Sequence, residues 1–572
     1  MDIATQITTV LAANGVTRVW GIPGDSLNGF TDAIRTNDDI AWMHVRHEEA
    51  AAFAAGADAQ VSGGLGVCAG SCGPGNLHLI NGLFDANRSR LPVLAIAAQI
   101  PTAEIGSTYF QETHPERLFL DCSVFCETVT NASQMPRLLE IAMRTAIEKR
   151  GVAVLVLAGD VLLSEAADAK RVTAIRPTRS AIVPSPEELA DAAAILSSGR
   201  RVTILAGAGV EGAHDEVIRL ADTLGAPIVH ALRGKEHIEW DNPFDVGMTG
   251  LLGFASGYRA MESCDVLLML GTDFPYQQFY PPKAKIIQVD ERGEQLGRRV
   301  PLTLGLHGTV RDTALALLDR LERTGHRHHL DDALDHYAKT RRSLDELATP
   351  GAGAIHPQYL TRVIDELAAE DAVFVPDVGS PVTWAARYLR TNGRRRLIGS
   401  FAHGTMANAL PQALGAQAVD RSRQVIALSG DGGLAMLLGE LLTISQLELP
   451  VNVVVYNNSS LNFVELEMKA AGFVNFGTSL TNPDFAALAR ALGLHGIRVE
   501  RADDVRGAIQ EALAHDGPTL VDAVVERQEL SLPPSIEAAQ AKGFALYALR
   551  TVMSGRGDEL IDLAKANLRQ LF

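Results

Sequence analysis

Short apolar runs alternate with longer segments of helical spacing along most of the chain. In the first third the runs cover residues 18–22, 42–45, 66–69, 92–97 and 152–157. Each is followed by a turn rich in glycine or charge and then by a helical pattern. A strand covered by helices on both faces reads as a continuous apolar run, so this rhythm predicts a doubly wound parallel sheet. It recurs at 201–206, 266–276 and 286–290, and again at 373–379, 424–429 and 451–456. Two polar stretches interrupt it. Residues 164–186 hold Arg176-Pro177-Thr178-Arg179 and Pro184-Ser185-Pro186, and residues 325–356 end in Thr349-Pro350-Gly351-Ala352-Gly353. Both read as linkers, the second with a helical pattern. The expected fold is α/β, with three doubly wound domains at 1–180, 181–332 and 333–528 and a helical tail at 529–572.

Residues 424–458 carry the densest chemistry. Gln424–Ser429 and Val451–Tyr456 read as two parallel strands, with a helix from Leu434 to Leu449 between them, ended by Pro450. Gly430-Asp431-Gly432-Gly433 follows the first strand and Asn457-Asn458 follows the second. In a parallel pair both tips emerge at the carboxyl edge, where open α/β sheets bind ligands. A carboxylate and an amide oxygen there suit a hard cation such as Mg²⁺, and glycines let a diphosphate approach the backbone.

Size and charge narrow the field. A chain of 572 residues holds about three to four domains. The net charge of −17 argues against a nucleic-acid partner. No apolar run is long enough to cross a membrane, and Met1-Asp2-Ile3 does not begin a secretory signal. The five cysteines, Cys68, Cys72, Cys122, Cys126 and Cys264, fit a reducing compartment. Their CxxxC spacings are not those of a zinc site; Cys126 is expected in a helical context and all five as buried thiols.

Several residues admit two readings. Glu48 begins an Ala-rich helix, where an acid favours the helix dipole as Glu49 also would. His47 beside it is either a polar helper or a core histidine. Gly207-Ala208-Gly209 is a dinucleotide turn or merely a tight one, and Asp290, ending a strand, is a ribose ligand or a cap. Met406 reads alone as core.

The pairing of Gly430-Asp431-Gly432 with Asn457-Asn458 across one βαβ unit resembles the signature of thiamine-diphosphate (ThDP) enzymes. Arg46-His47-Glu48-Glu49, the run from Ala69 to Asp85, His230 to His237 and Gly543-Phe544 extend the likeness along the chain. They resemble the bacterial flavin-dependent pyruvate oxidases, most of all the phosphate-independent type linked to ubiquinone. The resemblance implies ThDP, Mg²⁺ and FAD as cofactors. It places Glu48 on N1′ of the aminopyrimidine, and Asp431, Asn458 and a carbonyl near Ser460 on Mg²⁺. Gly404, Thr405, Met406, Gly432, Gly433, Ser459, Leu461, Asn462, Phe463 and Val464 would line ThDP, with Met406 the wedge that bends it and Phe463 in the reaction pocket. Thr249, Gly250, Leu251, Leu252, Thr272, Asp273, Phe274, Pro275, Tyr276 and Asp290 would line FAD. Ser459, Asn462, Asp273 and Glu291-Arg292-Gly293 depart from the family pattern.

The implied activity is oxidative decarboxylation of pyruvate to acetate and CO₂, with electrons passed to ubiquinone. An FAD-containing acetolactate synthase and a phosphate-dependent oxidase making acetyl phosphate are the alternatives. Glu48 and the Asp431/Asn458 pair lie in different domains, and in the family they meet across a dimer, so a homo-oligomer, a tetramer, is expected. In the tail, Leu560, Ile561, Ala564, Leu568, Leu571 and Phe572 share one helical face, extended by Leu563 and interrupted by Asn567. Such a face suits lipid, although the polar face lacks a basic excess. The resemblance therefore implies a cytoplasmic enzyme, peripheral on the inner face of the cell membrane.

Overall fold

The computed structural model describes residues 1–572 except 169–171, 179, 352, 530–537, 554–556 and 568–572. Its frame is three six-stranded sheets, each with every strand pair parallel. The first contains β1 (Arg18–Gly21), β2 (Ala41–His44), β3 (Gly66–Gly70), β4 (Val93–Gln99), β5 (Phe125–Val129) and β6 (Val152–Ala158), in the order 2-1-3-4-6-5. The second contains β7 (Val202–Ala206), β8 (Ile228–His230), β9 (Asp245–Met248), β10 (Val266–Leu270), β11 (Lys285–Asp290) and β12 (Leu304–His307), ordered 12-11-10-7-8-9. The third contains β13 (Val373–Pro376), β14 (Arg396–Leu397), β15 (Val425–Gly430), β16 (Asn452–Asn457), β17 (His495–Val499) and β18 (Thr519–Val524), ordered 14-13-15-16-18-17. The expected fold class is the observed one. Strand order reverses at β1/β3, β7/β10 and β13/β15, and crevices open at such reversals.

Central strands such as β4 and β6 are buried along their whole length, which explains their unbroken apolar runs. The Ala-rich helix Glu48–Ser62 is small-sided for a packing reason. A Cβ on Gly415 of the helix Ala409–Val419 would lie 2.1 Å from Ala54 O, and one on Gly82 would lie 2.6 Å from Ala52 Cβ. Helices from the first and third domains thus press close on opposite sides of it, and one apolar core runs through both domains.

Two local expectations change. The predicted helix from Leu434 to Leu449 is two helices, Asp431–Met436 and Glu440–Leu447, and Asp431 opens the first of them. Cys126 lies in the edge strand β5, not in a helix. The polar segment before 350 is helical as expected: it is largely a twenty-residue helix, His328–Leu347, anchored by buried Leu330 and Ala333. All five cysteines are free thiols; burial pushes Cys122 and Cys264 up to about 12 and Cys126 up to about 11.

The tail holds helices Ala538–Met553 and Gly557–Ala566. The first lies along the helix Asn462–Ala470, with Tyr547 buried under the Lys469 ammonium and Arg550 donating to Gly472 O at 2.6 Å. Asn567, which interrupts the apolar stripe, is its buried anchor, donating to Gln528 O at 2.7 Å. Leu560 and Leu563 are half-buried while Ile561 is exposed; Leu568, Leu571 and Phe572 lie outside the described residues. On the preceding helix Leu546, Leu549, Val552 and Met553 are exposed. No described helix is long and apolar enough to cross a membrane.

Candidate functional site

The register of the third sheet places Gly430 beside Tyr456, so the chain leaves β15 and β16 at adjacent points. Asp431 Oδ2 accepts from Ser459 N at 2.6 Å and from Asn482 Nδ2 at 2.8 Å, and Oδ1 accepts from Gly432 N at 2.9 Å. Ser459 adopts φ +54°, which turns its N–H back toward Asp431. Burial raises the Asp431 pKa above its ordinary value, against the pull of these donors. Asn458 Oδ1 accepts from Ser460 N at 3.0 Å, and Ser460 Oγ donates to Glu465 at 2.6 Å. A buried carboxylate and an amide oxygen on neighbouring strand tips form a donor set that fits Mg²⁺, whose charge offsets the burial cost.

The glycines beside this pair serve close packing. A Cβ on Gly433 would lie 1.8 Å from Asp377 Oδ2. One on Gly432 would meet Leu461 Cδ2 at 2.8 Å and Met406 Cε at 3.4 Å, so Met406 and Leu461 converge there. Gly404 turns at φ +81°, and Thr405 Oγ1 accepts from Asn81 Nδ2 of the first domain at 3.1 Å. Asn462 accepts from Ser380 Oγ and donates to Arg527 O; Phe463 is half-buried and Val464 exposed. Asp377 and Asn482 were missed in the sequence. Asp377 follows β13 at the strand reversal and burial pushes it up to about 7, but its place shows only once strand order is known. Asn482 sits in a loop with no periodic signal.

Glu48 lies in the first domain. It is the first residue of its helix and is buried, whereas Glu49 is half-buried and accepts from Asn81 Nδ2. Glu48 Oε2 lies 2.9 Å from His78 Nδ1. His47 is the helix N-cap, its Nδ1 accepting from Glu49 N, and its ring stacks on His78 at 4.3 Å. His47 is therefore a half-exposed cap and not a core histidine. The ligand atoms of His47, Glu48 and His78 lie within 4.8 Å of one another, but each histidine Nδ1 is already engaged in this hydrogen-bond arrangement.

The second sheet brings a further set to one edge. Thr249–Leu252 follow β9, Thr272–Tyr276 follow β10 and Asp290 ends β11. At the β7/β10 reversal, a Cβ on Gly207 would lie 2.5 Å from Gly271 O and from Thr272 Cβ. Thr249 is buried, and its Oγ1 has no hydrogen-bond partner among the described residues. Gly250 lies under the Phe274 ring, and Arg387 of the third domain donates to Leu252 O at 3.1 Å. The departures fold onto their neighbours: Asp273 pairs with Arg299 at 2.7 Å, and Asp290 Oδ1 accepts from Arg292 N at 2.9 Å. Thr249 Oγ1, after the edge strand β9, is thus an orphaned buried hydroxyl on the side of the sheet where a bound nucleotide would give it a partner.

Sequence comparison agrees with this geometry. Family models described as the N-terminal TPP binding, central and C-terminal TPP binding domains of thiamine pyrophosphate enzymes match residues 1–118, 189–317 and 377–523. The Bacillus subtilis protein YdaP is 37% identical over 570 residues, covering 99% of this chain and 98% of that one. A pyruvate oxidase of Lactiplantibacillus plantarum is 29% identical over 528 residues, 91% of this chain and 88% of its own. An acetolactate synthase of Mycobacterium bovis is 29% identical over 548 residues, again 91% and 88%. With all three of its domains matched and a full-length relative above a third identical, the chain belongs to the thiamine pyrophosphate enzyme family.

Proposed function

We propose that the protein oxidatively decarboxylates pyruvate to acetate and CO₂ with ThDP, Mg²⁺ and FAD, and passes the electrons to ubiquinone at the inner face of the cell membrane. The observation that carries the reading is the pair of strand tips joined through Asp431 and Ser459, with glycines beside them. Asp431, Asn458 and the Ser460 carbonyl would hold Mg²⁺, which would supply positive charge for the diphosphate of ThDP. Met406 buttresses the ring system from beside Gly432, and Phe463 shields the reaction pocket from water. Glu48 of a second copy would hold a proton against N1′ of the aminopyrimidine. ThDP supplies the electron sink for decarboxylation and FAD the two-electron acceptor. Thr249–Leu252, Thr272–Tyr276 and Asp290 would line the flavin, which would offer Thr249 Oγ1 a partner.

Two surfaces support assembly and membrane contact. Leu77 beside His78, and Met436 on the Asp431 helix, are exposed in the single chain, as suits residues covered in a homo-oligomer, here a tetramer. Leu546, Leu549 and Met553 recur at helical spacing on the outer face of the tail, as suits a helix that lies on lipid when released.

The second reading is an FAD-containing acetolactate synthase, favoured by the equal similarity to such an enzyme. A phosphate-dependent oxidase making acetyl phosphate is the third, favoured by the pyruvate oxidase relative. Product analysis with pyruvate, a quinone acceptor and phosphate separates them. Acetate with quinone reduction supports the proposal, and acetolactate or acetyl phosphate as the main product overturns it.

A further inference from the structure

The geometry points to His78 as a positioning residue for Glu48, one that holds one carboxylate oxygen so that the other serves the cofactor. This rests on the role proposed above for Glu48.

The helix Pro74–Arg88 is built to receive that carboxylate. Gly75 and His78 are three residues apart, so they share one face of it. A Cβ on Gly75 would lie 3.1 Å from Glu48 Oε1, so the carboxylate rests over the first turn, at the positive end of the helix dipole. One turn on, His78 Nδ1 meets Oε2 at 2.9 Å. A carboxylate oxygen accepts, so Nδ1 carries the proton in this contact. The His47 ring, stacked on His78 at 4.3 Å and itself held by Glu49 N, keeps the imidazole from swinging away. Glu48 is thus gripped at one oxygen from the side, while His78 keeps its far edge exposed, with 44% of its side chain accessible. A carboxylate without this grip samples rotamers in which neither oxygen reaches the pyrimidine, which lowers turnover without altering pyruvate binding.

The test compares His78→Phe and His78→Asn in the full-length holoenzyme. Phenylalanine keeps a ring against His47 but has no N–H; asparagine supplies a donor at nearly the same place. The expected result for His78→Phe is a fall in kcat on the order of 10- to 100-fold with ThDP and FAD content and the KM for pyruvate close to wild type. His78→Asn recovers most of that loss. Wild-type kcat in His78→Phe, a loss confined to KM, or an asparagine variant as slow as the phenylalanine one while retaining its cofactors would each overturn the assignment. Glu48→Gln, assayed alongside, separates the two claims: if it stays active, the role of Glu48 fails; if it is inactive while His78→Phe is normal, only the role of His78 fails.

Discussion

The backbone N–H of Arg46 donates at 3.0 Å to the carboxylate of Glu440, 394 positions further along the chain. Glu440 begins the second of the two helices that replace the single predicted one, and Arg46 lies two residues before Glu48. A side chain of the third domain therefore fixes the loop that leads into Glu48, the residue proposed to meet the aminopyrimidine.

This contact makes a pH prediction. Burial pushes the Glu440 carboxyl up to about 7, partly countered by Thr443 Oγ1 and the Arg46 and His47 amides. A carboxyl raised in the folded state takes up its proton more readily than in the unfolded chain. Its contribution to stability is fully present at low pH and is lost as pH rises from about 4.5 through about 7. Glu440→Gln keeps an acceptor for Arg46 N, and its Nε2 donates to the Thr443 hydroxyl, which donates to the carboxylate in the wild type. The variant is expected to unfold later than wild type at pH 8, by roughly 2–3 kcal/mol, with the gap closing near pH 5. Denaturant unfolding at the two pH values checks this.

Asn482 orients the Asp431 carboxylate proposed to face Mg²⁺, bridging Asp431 Oδ2 and Asn457 Oδ1 at 2.8 and 2.9 Å. Asn482→Ala is expected to weaken Mg²⁺-dependent ThDP binding about 10- to 100-fold. Asp431→Ala, which removes a ligand outright, should weaken it further. Titration of cofactor-stripped protein with ThDP at fixed Mg²⁺ measures both.

Gly433 has no room for a methyl group, since Asp377 Oδ2 occupies the place its Cβ would take. Gly433→Ala is expected to cost about 1–3 kcal/mol of stability and to displace the turn that approaches the diphosphate. Adding Asp377→Ala should return part of the stability but not the ThDP affinity. Thermal unfolding with and without cofactor reads both effects.

The outer face of the tail gives a surface prediction. Leu549 and Met553 are exposed, so Leu549→Glu and Met553→Glu should leave stability within about 0.5 kcal/mol of wild type. Together they are expected to reduce liposome binding and lipid activation severalfold, as should deletion of the residues after 550. Co-sedimentation with vesicles and a pyruvate-dependent dye assay measure the two.

The parts of this site that are short-range in sequence were legible there. Asp431 and Asn458 sit beside glycines and an asparagine pair at the ends of one βαβ unit, and apolar runs marked both strands. What depends on three-dimensional order was not. Asp377 reaches the site because β13 and β15 are neighbours, and Asn482 because a distant loop folds back across β16. The edge strand holding Cys126 is too mixed in polarity to read as a strand. The helix after Asp431 breaks at Leu437–Gly439, where Glu440 turns to meet Arg46, a contact no local pattern announces. In the tail, helical spacing found the stripe, but Asn567, which interrupts it, is the residue that docks.

The central claim is that Glu48 and Asp431 act on one cofactor from two different chains, and subunit mixing tests it most directly. Glu48→Gln and Asp431→Ala, each inactive alone, are co-expressed with different tags, and the mixed oligomers are purified through both. If the site is shared between chains, every mixed pair holds one doubly impaired site and one intact site, so close to half of wild-type turnover returns in the mixed pairs. Mixed oligomers without turnover would show that both residues serve the same chain's site, and would contradict the account.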